Sequence, residues 1–272
     1  MKILVRAPAT TANLGPGFDC AAAALDLWNE LEVRDDEDGK VDREHLAVQA
    51  FERVAPVDGL SFSFVDRIPR ERGLGSSAAT IALGLTAGAL VAGDDRSVDE
   101  LLALGLDLEG HPDNLAAALA GGVVLTWEGR VARVAEDAPA AAIAVVPRER
   151  VRTAAARASL PDSLPHEDAA FTAARAALLG AALAAGSADL FGAALDDRLH
   201  EPYRAPSVPL LDAIRAQLPG GALGSTISGS GPTVIVWAQR EERDRCTAEL
   251  RERFPDTDVM PLAITPLGAG PL

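Results

Sequence analysis

The chain has 272 residues, 48% hydrophobic and 24% charged, enough for one large domain or two ordinary ones with sizeable cores. A net charge of −15 argues against a nucleic-acid binder, which carries a basic footprint, yet it leaves room for an anion held by local arginines and helix N-termini. Cys20 and Cys246 have no metal-ligand spacing, which favours two buried thiols over a long-range disulfide.

MKILVRAPATTANLG lacks the long apolar core of a signal peptide. Gly, Pro or charge interrupts each apolar run before it can span a bilayer, so a soluble, cytoplasmic protein without membrane partners is expected. KILVRAP reads as a strand that ends in a loop at Pro8, and Leu27–Arg34 alternates as a second strand. DDEDGK is a charged turn, Arg43–Ala55 a helix, and LSFSFVDRIP a strand. Helices follow at Ser77–Val91 and Val98–Leu108, then HPDN leads into LAAALAGG, a helix closed by paired glycines, and VVLTW is a short strand. The stretch around Pro139 passes into a second unit with helices at Glu167–Ala185, Asp189–Leu199 and Val208–Leu218. GSTISGSGPTVIVWA is a glycine turn feeding a strand, Glu241–Phe254 a helix and Val259–Ile264 a last strand. Strands and helices mix without steady βαβ alternation, which predicts an α+β fold.

PRERGLGSSAAT, from Pro69 to Thr80, is the most informative string. A helix N-terminus leaves N–H groups unpaired and carries partial positive charge, so it suits phosphate. Gly73 and Gly75 permit close approach of a polyphosphate, and Ser76 or Ser77 adds a hydroxyl. The string is neither a Walker A loop nor a Rossmann turn. A Gly-Ser pair alone would be an ordinary helix cap; the full string is far more specific.

That string resembles the second motif of the GHMP kinases, small-molecule kinases in which it wraps the phosphates of ATP. APATTANLGPGFD, from Ala7 to Asp19, is similar to the first motif in its homoserine-kinase form, and ISGSGPT, from Ile227 to Thr233, to the third, a glycine-rich loop near the phosphates. EGHPDNLAAALAGG, from Glu109, matches the homoserine-kinase pattern at a fourth place. The resemblance implies ATP bound by Pro69, Arg70, Glu71, Arg72, Gly73, Leu74, Gly75, Ser76, Ser77, Ala78 and Ala79, with Gly229, Ser230 and Gly231. It implies Mg²⁺ on Glu109 and Ser77, with Ser76 the alternative; one Glu and one hydroxyl make a plausible partial shell for this hard cation.

For the acceptor, L-homoserine, the resemblance sets Asn13 and Asp19 near the ammonium and Arg157 and Arg204 on the α-carboxylate, where a planar guanidinium pairs bidentately. His111, Asp113 and Asn114 would line the same pocket. Asn114 is the candidate for orienting the attacking hydroxyl, and Asp113 is a candidate base or simply the N-cap of the following helix. No lysine matches the one that mevalonate-type relatives place near this Asp; Thr10 and Thr11 stand there. On spacing alone Glu109 and either arginine read as surface charges.

The implied fold has two layers: a first half, residues 1–140, like the second domain of ribosomal protein S5, and a ferredoxin-like half, residues 141–272, with the active site between them. Homodimers are common in the family. The segment from Glu32 to Leu46, near the family's adenine pocket, is short. The competing readings are a related kinase for another small alcohol, such as mevalonate or a terpenoid precursor, and a non-catalytic ligand-binding protein on the same scaffold.

Overall fold

The computed structural model describes residues 1–36, 41–150 and 153–272, so the charged turn expected at 35–40 lies largely outside the described residues. Strand β1 (Lys2–Asn13) runs straight through Pro8 instead of ending there. Its register against β2 (Gly17–Asp35) shifts between Pro8 and Ala9, and a bulge is where a strand tolerates a residue with no N–H to donate. β2 also starts well before the expected Leu27. Ala22 and Ala23 pair with both β1 and β4 (Val123–Trp127), and their completely buried methyls fit a strand crowded on both edges. Pairing thus overrides the weak strand preference of alanine.

The first half continues through α1 (Leu46–Glu52), β3 (Leu60–Val65), α2 (Ser76–Ala92), α3 (Val98–Glu109) and α4 (Pro112–Ala120). α1 is shorter than the expected helix because His45 caps it, accepting from the N–H of Ala47. β5 (Arg130–Ala135), absent from the sequence reading, closes a hairpin on β4 through Glu128 and Gly129, both at positive φ, as a two-residue hairpin turn requires. The sheet runs β10–β1–β2–β4–β5, with β3 also on β2; β10 (Gly270–Pro271) brings the chain's last residues back to the first sheet.

The second sheet comprises β6 (Ala141–Val146), β7 (Ala222–Ile227), β8 (Val234–Ala238) and β9 (Asp258–Leu262), ordered β7–β8–β6–β9 and antiparallel throughout. Between β6 and β7 lie α5 (Thr153–Ala158), α6 (His166–Ala185), α7 (Ala188–Ala194), α8 (Glu201–Arg204) and α9 (Pro209–Arg215); α10 (Arg243–Arg253) joins β8 to β9. With helices in both crossovers this is the expected ferredoxin-like βαββαβ topology, in an α+β chain. Ala142, Ala144 and Val146 join the main core, while Ile143 and Val145 pack with Leu211, Ile214 and Leu250 of α9 and α10. A sheet covered on both faces reads as unbroken apolar runs, which is why AAIAVV and VIVWA show no alternation.

Helix ends depart from expectation where side chains intervene. α7 stops before Leu199 because Asp197 accepts the N–H groups of Leu199, His200 and Glu201 and starts α8 instead. GSTI, expected in a turn, belongs to β7, and α5 was not anticipated. By length and composition alone α6 is long and apolar enough to cross a membrane, although Arg175 and Gly180 interrupt its apolar run as expected. It packs along α7 and places Leu179, Ala182 and Leu183 in the core. Both cysteines are free thiols, Cys246 buried and Cys20 only half-buried.

α1 and α2 meet backbone to backbone at Gly84, where an added Cβ would come 2.0 Å from the Ala47 carbonyl oxygen. Gly84→Ala therefore forces two core elements apart and should cost about 1–3 kcal/mol despite alanine's better helix propensity. Urea denaturation measures this; an unchanged midpoint would contradict the packing described.

Candidate active site

Four loops and corners and the last turns of two short helices converge on one cleft. The β1–β2 turn supplies Asn13 and Asp19, and the stretch before α2 supplies Glu71, Arg72, Gly73, Gly75, Ser76 and Ser77. The α3–α4 corner gives Glu109, His111, Asp113 and Asn114; α5 and α8 give Arg157 and Arg204; the β7–β8 loop gives Gly229 and Ser230. Pro69, Arg70, Leu74, Ala78, Ala79 and Gly231, also expected at the nucleotide, do not line this cleft. Leu74, Ala78 and Ala79 are wholly buried in the core, and Arg70 pairs with Asp66 on the surface.

α2 starts uncapped. Its N-cap is Gly75 in the left-handed region, and no side chain bonds the first turn. Ala79 N–H reaches the Gly75 carbonyl at 2.9 Å, but those of Ser76, Ser77 and Ala78 have no partner within the helix. An added Cβ at Gly75 would lie 1.8 Å from Thr10 Oγ1, and one at Gly73 2.3 Å from the Ser228 carbonyl oxygen. The space beside each glycine is filled by neighbouring motifs, so these residues are needed first for loop-on-loop packing. Ser228 Oγ completes that packing, donating to the Gly73 carbonyl at 2.6 Å and accepting from Thr11 Oγ1 at 2.9 Å.

α3 ends at Glu109 and α4 begins at Pro112, so the compact Glu109–His111 spacing forms one corner. The Ser77 hydroxyl stands near the Glu109 carboxyl. Burial pushes the Glu109 carboxyl up to about 7; the Ser77 hydroxyl opposes the rise and Asp113 adds to it. The N-cap of α4 is His111, not Asp113. Asp113 sits inside the first turn, 3% exposed, accepting the Asn114 N–H at 2.7 Å, and burial raises it to about 6. Burial, then Arg157, lower the pKa of His111, which stays neutral near pH 7. Thr10 Oγ1 donates to Asn114 Oδ1 at 2.7 Å, which leaves the Asn114 amide nitrogen as its donor toward the cleft.

Arg157 does not stand open. Its Nη2 donates to both Asp19 oxygens at 2.7 and 2.8 Å, so two residues expected on opposite ends of a substrate meet each other. Arg204, 3% exposed, donates from Nη1 to the Gly229 carbonyl at 3.0 Å. The Nε atoms of Arg72, Arg157 and Arg204 are all buried without a hydrogen-bond partner, three donor positions around one cleft. An anion with several acceptor oxygens fits that set.

Two participants escaped the sequence reading although each lies within four positions of a residue it named. Phe18, just before Asp19, lies under Arg157 and Arg204 at 5.3 and 5.1 Å. His200, which opens HEPYRAP, is fully buried and stacks on Phe18 with ring centroids 5.1 Å apart. The short segment expected near an adenine pocket includes residues outside the described ones.

Residues 43–122 match the family model for the GHMP kinase N-terminal domain, and residues 179–256 the model for the C-terminal domain. The chain belongs to the GHMP kinase family. The chain is 40% identical to a homoserine kinase of Streptomyces coelicolor over 90% of its own length and 87% of that protein. A homoserine kinase structure from Cytophaga hutchinsonii superposes with a TM-score of 0.86 at 26% identity, covering 100% of this chain and 97% of that one. The mevalonate kinase of Methanococcus jannaschii, at TM-score 0.69, 13% identity and coverage of 97% and 99%, shares the fold alone. For this GHMP kinase, ATP is the phosphate donor that the family implies.

Glu109, raised to about 7, costs the fold stability once it ionises. A group raised in the folded state contributes fully below its unfolded value, near 4.3, and loses that contribution as pH rises through 7. Glu109→Gln should therefore be nearly neutral at pH 4.5 and stabilising at pH 8 by on the order of 2 kcal/mol. Urea titrations at both pH values measure it; equal effects at the two would contradict the burial described.

Proposed function

We propose that this chain transfers the γ-phosphoryl group of ATP to the side-chain hydroxyl of L-homoserine, giving O-phospho-L-homoserine, the precursor of threonine, and ADP. The observation that carries the reading is the Asp19–Arg157 pair beside the buried Arg204. A zwitterionic amino acid brings its own cation for Asp19 and its own anion for the arginines, so it exchanges with the pair and leaves no charge uncompensated. A simple hydroxy acid offers Asp19 nothing.

Bound MgATP supplies the transferable phosphoryl group and the cation that neutralises its oxygens. The uncapped start of α2 and the unpartnered Nε of Arg72 suit the phosphates. Ser77 and Glu109 offer hard oxygens; among the described residues there is no group of three or more His, Cys, Asp or Glu that could hold a metal unaided, in keeping with Mg²⁺ that keeps phosphate and water ligands. The Asn114 amide donates to the acceptor hydroxyl and aligns it. Asp113, ionised above about pH 6 and more basic than an ordinary aspartate, takes the proton that the hydroxyl loses. The same reading divides the chain near residue 140 and makes the protein a cytoplasmic biosynthetic enzyme, able to pair as a homodimer, with no nucleic-acid or membrane partner.

Coupled ADP release with MgATP should show turnover with L-homoserine well above that with L-threonine, L-serine or mevalonate. Arg204→Ala should lower kcat/KM for homoserine about a hundredfold, the scale of losing a charged, buried hydrogen-bond fork. Turnover with mevalonate in place of homoserine would overturn the substrate assignment.

A further inference from the structure

We propose that His200 is a positioning residue for Arg204: a neutral ring with its proton on Nε2 occupies Nη1 of the guanidinium and leaves the Nε–Nη2 edge as the carboxylate-binding fork. This rests on the reading that the acceptor substrate carries a carboxylate.

Two neighbours impose the same tautomer from opposite ends of the ring. His200 Nε2 lies 2.9 Å from the Gly15 carbonyl oxygen, which can only accept, so Nε2 carries the hydrogen. Nδ1 lies 3.4 Å from Arg204 Nη1, and a guanidinium can only donate, so Nδ1 presents its lone pair. Asp197 Oδ2 stands 3.6 Å from Nε2, outside hydrogen-bonding distance, with both carboxylate oxygens already taking backbone N–H groups. Complete burial further disfavours the imidazolium, and Arg204 repels it, while Asp197 and Asp19 pull the other way without overcoming burial.

The consequence falls on Arg204. Nη1 has two hydrogens, and the Gly229 carbonyl at 3.0 Å and His200 Nδ1 use both. What remains is Nε, buried without a partner, and Nη2 on the same side, the side-on edge whose two parallel donors match a carboxylate. Phe18 holds the assembly flat: it stacks on His200 at 27° between planes and lies under both Arg204 and Arg157. Through His200 the first-motif turn at Gly15 therefore sets the rotation of an arginine on α8.

Nitrogen NMR of histidine-labelled protein tests this directly, since only four histidines are present and His200→Gln assigns the signal. The expected spectrum has a protonated Nε2 and an unprotonated Nδ1 for His200, unchanged from pH 6 to 8. A proton on Nδ1, or an imidazolium in that range, overturns the proposal. Kinetically, His200→Phe keeps the stack but removes the acceptor, and should raise KM for the amino-acid acceptor about tenfold with KM for ATP moved less than about twofold. His200→Gln, which retains one donor and one acceptor, should restore most of that loss. Equal damage by both variants, or KM for ATP rising alongside while kcat falls, would mark His200 as merely structural. If His200→Phe does not fold, the wild-type spectrum still decides. An acceptor other than homoserine in the ADP assay would leave the spectrum unaffected, so the two failures are distinguishable.

Discussion

The carbonyl of Gly229 is the junction on which the cleft depends. It accepts from the buried Asn13 amide and from Arg204 Nη1, both at 3.0 Å, while the Gly229 N–H returns to the Ala12 carbonyl at 3.2 Å. One peptide unit thereby ties the β7–β8 loop to the end of β1, 216 positions away, and to α8, 25 positions away. The glycine-rich stretch before α2 joins the same knot through Ser228 and through Thr10 N–H on the Leu74 carbonyl at 3.1 Å. Loops normally sit on the surface because their polar backbone must be satisfied. Here they satisfy one another, which lets them pack closely enough to form a rigid floor.

The charge distribution follows from that convergence. A chain with net charge −15 collects Arg72, Arg157 and Arg204 around one cleft and adds the unpaired N–H groups at the start of α2. The cleft's carboxylates divide by environment. Asp19 is half-exposed and held by a guanidinium, whereas Glu109 and Asp113 are driven by burial to about 7 and about 6. A cation placed beside Glu109 reverses that penalty, so metal binding and proton release at this corner are linked.

How much of this could be read from the residues depended on whether the signal was local. The uncapped helix start and the glycine loops are written in short strings, because left-handed turns and close backbone contacts admit few residues. The same strings do not say which side chains face outward: Leu74, Ala78 and Ala79 belong to the motif yet serve the core. Pro8 within a strand and the early start of β2 were hidden because pairing with neighbouring strands, not intrinsic preference, decides them. β10 is two residues long and exists only through its partner β1. The Asp19–Arg157 pair spans 138 positions, and His200 acts through its two ring nitrogens on partners that no sequence spacing brings together.

The most direct test of the account is a crystal structure with a non-hydrolysable ATP analogue, Mg²⁺ and L-homoserine bound together. The account predicts the triphosphate at the first turn of α2, the metal between it and the Ser77–Glu109 corner, and the amino-acid carboxylate on the Nε–Nη2 edge of Arg204 with its ammonium at Asp19. A triphosphate bound away from α2, or a homoserine carboxylate that leaves Arg204 untouched while Arg157 stays forked on Asp19, would contradict it.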